Sequence, residues 1–439
     1  MKWAGRLLGT LGLLLLLAAG GLWWTQFNDG VDIHDVTPPA GEPEALVKRG
    51  AYLARVGNCL ACHTERGGVP AAGGRPVRTE YGTVYASNLT PDAQTGIGKW
   101  TANTFWRAVH FGRGGDGRLL MPAFPFTHTT LLTRGDADAL YSYFMSLPPT
   151  AGRPPAHELR WPYGSQWAQA IWRTLYFKPG SYQADPGQDD AWNRGAYLVR
   201  GVAHCSVCHA RRDALAGADW RNLQGNLLTA QRWYAPSLVD PREGSVADWP
   251  VAEILRLLKS GIAEHGRASG PMAETVKRGT QYFSRDDLRA VATYLKALPP
   301  AASGKGPESV PANAQQAARP GYSGQRLLGE AVYRDHCAEC HGENGQGHGD
   351  AYPALAGNRA VTLPVIDNLL QTLLYGGFNA ATREYPRPFG MPPFAPTLND
   401  GEIAAVLTYI RTSWGNDARA VRPSSVHAIR GRNKVSEAP

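Results

Sequence analysis

Arg49-Gly50-Ala51-Tyr52-Leu53, followed by Cys59-Leu60-Ala61-Cys62-His63, is the stretch that decides the architecture, because the chain writes it more than once. Arg194-Gly195-Ala196-Tyr197-Leu198 runs into Cys205-Ser206-Val207-Cys208-His209. Gly329, Ala331 and Tyr333 precede Cys337-Ala338-Glu339-Cys340-His341. Self-similarity of this kind marks repeated structural units. In each unit a short helical pattern leads into Cys-x-x-Cys-His, and a second helical pattern closes it: Leu140 to Leu147, Leu288 to Leu298 and Ile403 to Trp414. Leu288, Val291, Ala292 and Leu295 recur at three- and four-residue steps, which gives one buried helical face. Tyr143, Tyr294 and Tyr409 hold matching places. Pro148-Pro149 and Pro299-Pro300 stop the first two closing helices, because proline cannot continue one. The opening glycine lets another helix approach closely, and the tyrosine-bearing closing helix is the expected partner.

Working outward, composition divides the chain into a signal or transmembrane anchor (1–30), a first domain (43–150), an aromatic-rich link (151–190), a second domain (191–300), a flexible linker (301–321), a third domain (322–416) and a basic tail (417–439). The expected fold is all-α, with three tandem small helical domains behind the anchor. Lys2 and Arg6 precede an uncharged run from Leu7 to Trp24 that holds nine leucines and ends in Trp23 and Trp24. At roughly −0.5 kcal/mol per leucine, insertion is favoured by about 4 to 5 kcal/mol, and the flanking cations keep the N-terminus on the cytoplasmic side. A cleaved signal peptide ending near Ala18 and Ala19 is the competing reading; near-spanning length favours a retained anchor. The protein is therefore expected at the cell inner membrane with its domains in the periplasm. The link carries Trp161, Tyr163, Trp167, Trp172, Tyr176 and Phe177, too aromatic for a free tether, and is expected to pack between domains or to touch a membrane or partner surface. Arg419, Arg422, Arg430, Arg432 and Lys434 make the tail basic, and it reads as a solvated end.

All six cysteines fall into the three motifs, so none is left for a disulfide or a nucleophile. Two thiols one helical turn apart can add to the two vinyl groups of one haem while the adjoining imidazole reaches the iron. Cys59, Cys62, Cys205, Cys208, Cys337 and Cys340 are the expected covalent haem sites, and His63, His209 and His341 the expected axial ligands. Zinc would need further paired ligands, and a redox dithiol would not need the histidine three times. Of five methionines, Met121, Met272 and Met391 lie beside proline, 58, 63 and 50 residues after their histidines. They are the candidate sixth ligands; Met145 reads as core, and His128, His265 and His348 are the rival ligands. A thioether stabilises ferrous iron and raises the potential within an axial-ligand range of about 0.8 V. With both axial positions filled, three such sites carry electrons rather than transform a substrate. The net charge of +8 falls to roughly +2 once each of three haems contributes two propionates, so nucleic acid is not implied. No catalytic Ser/His/Asp set, nucleotide-binding glycine motif or paired carboxylates stands out, and no catalytic site of the chain's own is expected.

Further stretches carry a resemblance: Asn88-Leu89-Thr90-Pro91, Thr95-Gly96-Ile97-Gly98 and Trp100; Leu223-Gln224-Gly225, Trp233-Tyr234-Ala235-Pro236 and Gly270-Pro271-Met272; and Gly390-Met391-Pro392-Pro393-Phe394. With these the chain resembles the three-haem cytochrome c subunits of bacterial membrane-bound dehydrogenases that serve alcohol, gluconate and aldehyde oxidation. The resemblance implies a partner catalytic subunit of molybdenum, PQQ or flavin type, and ubiquinone or a terminal oxidase as electron acceptor. Where the alcohol and gluconate branch has Pro-Ala-Met-Pro, this chain has Pro122-Ala123-Phe124-Pro125, with Met121 three places earlier. That looks more like the branch accompanying molybdenum hydroxylases of aldehydes or N-heterocycles. Two other readings stand beside it: a peroxidase-like multihaem enzyme with a labile first haem, and a stand-alone respiratory relay.

Overall fold

A computed structural model describes residues 2–28, 30–300 and 321–436. Two compact units form: one holds Met1–Gly187, Ala196–Val207 and Arg212–Asn222, the other Gln188–Gly195, Cys208–Arg211 and Leu223–Pro439. The first unit contains α1 (Lys2–Phe27), α2 (Pro43–Val56), α3 (Cys59–Cys62), α4 (Ala102–Phe111), α5 (Phe126–Thr129), α6 (Arg134–Met145) and α7 (Gln166–Tyr176). Next in sequence come α8 (Asp190–Tyr197), which runs on into a π-helical turn (Leu198–Val202), α9 (Ser206–His209), α10 (Val251–Ser260), α11 (Gly270–Arg278) and α12 (Arg285–Lys296). The remaining helices are α13 (Tyr322–His336), α14 (Ala338–His341), α15 (Arg359–Thr362), α16 (Asp367–Tyr375), α17 (Asp400–Arg411) and α18 (Pro423–Ser436).

One crossing is built three times. A Cβ placed on Gly50 of α2 would overlap the carbonyl of Ala139 and crowd Cβ of Tyr143 on α6. On Gly195 of α8 it would meet Ala290 and Tyr294 of α12, and on Gly329 of α13 it would meet Ala405 and Tyr409 of α17. The opening glycine and the closing tyrosine are thus the contact itself, and the missing side chain is what lets the two backbones touch. Arg49 and Asp136 pair across the first crossing, and Arg194 grips Asp287 through two bonds of 2.7 and 2.8 Å across the second. Leu328 stands at the matching place in the third, so an apolar side chain replaces the pairing arginine there. Its closing helix α17 is correspondingly buried from Ile403 to Arg411. There Arg411 is satisfied by the carbonyls of Val361 (2.5 Å), Leu363 (3.1 Å) and Arg419 (2.9 Å), and burial lowers its pKa to about 10. The closing helices α6 and α12 end at Met145 and Lys296, short of their proline pairs, as the sequence leads one to expect.

The chain is helix-rich but not purely α. β1 (Pro76–Thr79), β2 (Gly82–Tyr85) and β3 (Glu158–Leu159) form an antiparallel sheet in the order β1-β2-β3. β4 (Asn226–Leu228) pairs with β5 (Trp233–Ala235), β6 (Ile262–Ala263) with β7 (Gly266–Arg267), and β8 (Gly377–Phe378) with β9 (Gly390–Met391). Segments this short carry too few residues for an alternating pattern to register.

Two expectations need correction. Val421, Val426 and Ile429 are buried in the third core, so the tail from 417 is not a solvated end. Val426 and Ile429, three residues apart on α18, face that core, and Arg430 clamps the helix through Asp400 and the carbonyls of Ala395 and Leu398. Met145 is only half-buried, because Phe144 takes the core position in the last turn of α6. The aromatic link holds α7, capped by Ser165, whose hydroxyl accepts from the Ala168 amide. The flexible-linker residues 301–320 lie outside the described residues. Among the described residues one helix, Arg6–Phe27, is long and apolar enough to cross a membrane, and none of it is buried in the fold.

Candidate haem sites

Each Cys-x-x-Cys-His winds about one helical turn: α3 holds Cys59 and Cys62 with His63 at its C-cap, while α9 and α14 begin one residue after Cys205 and Cys337, so the two cysteines of each motif lie about a turn apart. The chain beyond each turn is also repeated. The histidine carbonyl accepts from a glycine amide: Gly73 to His63 at 2.9 Å, Gly225 to His209 at 2.8 Å, Gly347 to His341 at 2.8 Å. All three glycines are left-handed, with φ of 79°, 82° and 68°. Each would collide through a Cβ with the residues beside Ser87, Pro236 or Pro353. A small antiparallel hairpin then turns the chain back, β1–β2 in the first copy, β4–β5 in the second, and the His348–Tyr352 bridge in the third. Just past the hairpin, the carbonyls of Ser87, Pro236 and Pro353 accept from Nδ1 of His63, His209 and His341 at 2.7, 2.8 and 2.9 Å. A closing backbone bond repeats too: Leu89 to Ala71, Leu238 to Leu223 and Leu355 to Gly345, at 2.8, 2.8 and 2.7 Å.

This clamp settles the chemistry of the ring. A carbonyl only accepts, so Nδ1 carries the proton and Nε2 keeps its lone pair, which is how a metal-ligating histidine is oriented. Burial holds all three imidazoles below the ordinary histidine pKa and so in the neutral, ligating form. Burial, helped by the neighbouring motif thiol, pushes Cys59 and Cys337 up to about 12, so neither is a thiolate nucleophile. The three histidines are only half-buried, as are Met121, Met272 and Met391. A half-buried imidazole so prepared, next to the two thiols of the same turn, fits a flat apolar group that would cover it. The acceptors Ser87, Pro236 and Pro353 were not anticipated from sequence; the faint signal is a tyrosine two or one residues before each and a leucine two after, as in Tyr234-Ala235-Pro236-Ser237-Leu238.

Met121 sits on the loop after α4, with its carbonyl accepting from the Phe124 amide at 2.9 Å. Met272 lies in the first turn of α11 against Ala268, Ala273, Val276 and Ala380. Met391 pairs with Gly377 across β8–β9 and packs on the third core. Of the rival histidines, His128 is buried and fully engaged: Nε2 is 2.8 Å from the Ser206 hydroxyl, and Nδ1 is 2.9 Å from that of Thr127. It is a structural histidine. His265 packs against Trp249 with its ring tilted by 36°, and His348 is exposed beside Tyr352.

Burial, with the charges of His204 and Arg212, holds His128 well below the ordinary histidine pKa. The unfolded chain therefore binds a proton that the fold refuses, and stability is full above about pH 6.5 and falls as pH drops below it. The slope is about 1.4 kcal/mol per pH unit from this residue. His128→Gln should flatten that part of the stability profile, as denaturant titrations at pH 7 and pH 5 would report.

Repeated helix crossings over clamped Cys-x-x-Cys-His turns define a cytochrome c, a protein of covalently bound haem c that transfers electrons. The cytochrome c family model matches residues 327–414. The alcohol dehydrogenase (quinone) cytochrome c subunit of Gluconacetobacter polyoxogenes is 36% identical over 87% of this chain and 83% of its own length. The gluconate 2-dehydrogenase cytochrome c subunit of Pantoea cypripedii is 35% identical over 86% and 87%. The fructose dehydrogenase cytochrome subunit of Gluconobacter japonicus is 32% identical over 90% and 85%. The chain belongs to the family of dehydrogenase cytochrome c subunits.

Proposed function

We propose that the chain is a three-haem electron relay, held at the inner membrane by α1 with three tandem cytochrome c domains in the periplasm. It takes electrons from a dehydrogenase catalytic subunit of molybdenum, PQQ or flavin type and delivers them to ubiquinone or a terminal oxidase. The observation that carries this reading is the imidazole clamp, formed three times over unrelated loop lengths around His63, His209 and His341. Cys59 and Cys62, Cys205 and Cys208, and Cys337 and Cys340 would hold one haem c each. His63, His209 and His341 would ligate the iron on one side and Met121, Met272 and Met391 on the other. When bound, haem c supplies a one-electron ferric/ferrous couple; the protein supplies orientation, apolar cover and ligand field. The Ser87, Pro236 and Pro353 carbonyls polarise the imidazoles toward stronger donation.

Purification of the full-length protein from native membranes, with haem quantification and identification of co-purifying subunits, tests it. Three low-spin haems with a dehydrogenase subunit attached is the expected result. A high-spin haem with peroxide turnover and no partner would replace the relay by a haem enzyme.

A further inference from the structure

Helix α7 is built inside out. Its buried side presents Gln169 and Arg173, 4% and 5% exposed, while Trp167, Ile171 and Leu175 stand 52%, 53% and 59% exposed. These three are spaced by four residues and so form one apolar stripe on the open face. The donors of the polar side are bound within the first unit, while Gln169 Oε1 is buried without a partner among the described residues. Gln169 donates to the Tyr163 carbonyl at 2.5 Å, and Arg173 donates to the Gly112 carbonyl at 3.4 Å and to Gln26 Oε1 at 3.1 Å while lying over the rings of Phe126 and Phe177. The stripe is therefore not a packing error that a small rotation of the helix would cure.

The neighbour of α7 indicates the cover for this stripe. α7 lies against the outer end of α1: Thr174 accepts from Gln26 at 3.2 Å, and Ile171 and Leu175 line one groove with Ala18, Gly21 and Leu22. A bilayer core of about 30 Å, entered at Arg6, is crossed in roughly 20 residues and ends near Gln26. The groove from Ala18 to Leu22 then lies roughly 6–12 Å below that boundary, close to the roughly 5–10 Å to which an in-plane amphipathic helix sinks. Trp23 and Trp24 are exposed on α1 beside this groove, and in the chain the exposed Arg160 and Trp161 precede α7 and the exposed Lys178 follows it, residue types suited to a lipid headgroup region.

We propose that α7 is an in-plane membrane helix, seated in the outer leaflet of a phospholipid bilayer through Trp167, Ile171 and Leu175. It acts as a second contact that fixes the first domain against the membrane surface. The inference rests on α1 being a retained span. The aromatics of the link divide accordingly: Trp167 faces lipid, whereas Trp172 is held inward by its indole bond to the Leu215 carbonyl at 2.9 Å.

Because every native cysteine belongs to a haem motif, one introduced cysteine is a unique spin-label site. Full-length haem-loaded protein carrying Ile171→Cys, Leu175→Cys, Leu13→Cys or Val69→Cys would be reconstituted in phosphatidylcholine–phosphatidylglycerol vesicles, and each label's collision rates with oxygen and with a water-soluble nickel chelate compared. Labels at 171 and 175 should resemble that at 13, rich in oxygen and several-fold poorer in nickel collisions than the aqueous control at 69. Protection at 13 with aqueous values at 171 and 175 would overturn the in-plane helix and leave the anchor standing. Aqueous values at 13 as well would overturn both.

Discussion

Replacing Cys337 and Cys340 together by alanine should lower the haem content of the purified protein by one third, and each of the pairs Cys59/Cys62 and Cys205/Cys208 should do the same. The cause is local. Each pair lies three residues apart on one helical turn, next to a histidine whose Nδ1 is tied to a carbonyl. No thiol outside the three motifs could substitute. Removing both thiols of a turn removes both thioether bonds and leaves only axial coordination, which does not survive denaturing electrophoresis. His341→Ala separates the two roles: the third haem should stay covalently attached and lose its low-spin spectrum, because the thioethers remain and the prepared imidazole is gone. Haemochrome assay and intact mass check the first result and visible spectra the second. Unchanged haem content in any one pair variant would show that its motif carries no haem and would reduce the relay accordingly.

Gly329→Ala is the second large effect expected. The added Cβ would overlap the Ala405 carbonyl and press on Cβ of Tyr409. Neither obstacle is the free end of a flexible side chain, so the helices themselves must separate. Overpacking usually costs about 1–3 kcal/mol, and here the backbone is the obstacle on both sides, so a loss of about 3 kcal/mol or more is expected. Against the roughly 5–15 kcal/mol of a typical domain that is enough to reduce haem retention as well. The same helix supplies its own control. A Cβ on Gly324 meets nothing within 4 Å, so Gly324→Ala should stabilise α13 by up to about 1 kcal/mol through helix propensity and reduced unfolded-state freedom. Denaturant unfolding of the two variants, read by far-UV dichroism, should therefore move in opposite directions. Equal shifts would mean that α13 and α17 do not meet at this glycine.

The two tests bear on different properties of the molecule. The cysteine series asks whether three identical turns have identical chemistry. The glycine pair asks whether the helix crossing that frames each turn is as close as its backbone contacts require. A protein that passed the second and failed the first would have the fold without the full complement of haems.

By itself the sequence determined what depends on short range: the thiols one turn apart, the histidine beside them, the glycine opposite a tyrosine, and the prolines that stop α6 and α12. These are statements about residues a few positions apart, for which helical geometry leaves few options. Only the tertiary structure decided which carbonyl orients each imidazole. Ser87, Pro236 and Pro353 come after their histidines at three different distances, and every backbone carbonyl is chemically equivalent until the hairpins place one against Nδ1. The same reason hid α18, whose apolar residues are interleaved with Arg419, Arg422, Arg430 and Arg432 until Val426 and Ile429 meet the third core. It also hid the inversion of α7. An amphipathic pattern shows that a helix has two faces; whether the apolar one turns inward depends on what the polar one can bind, and here Gln169 and Arg173 find their partners inside.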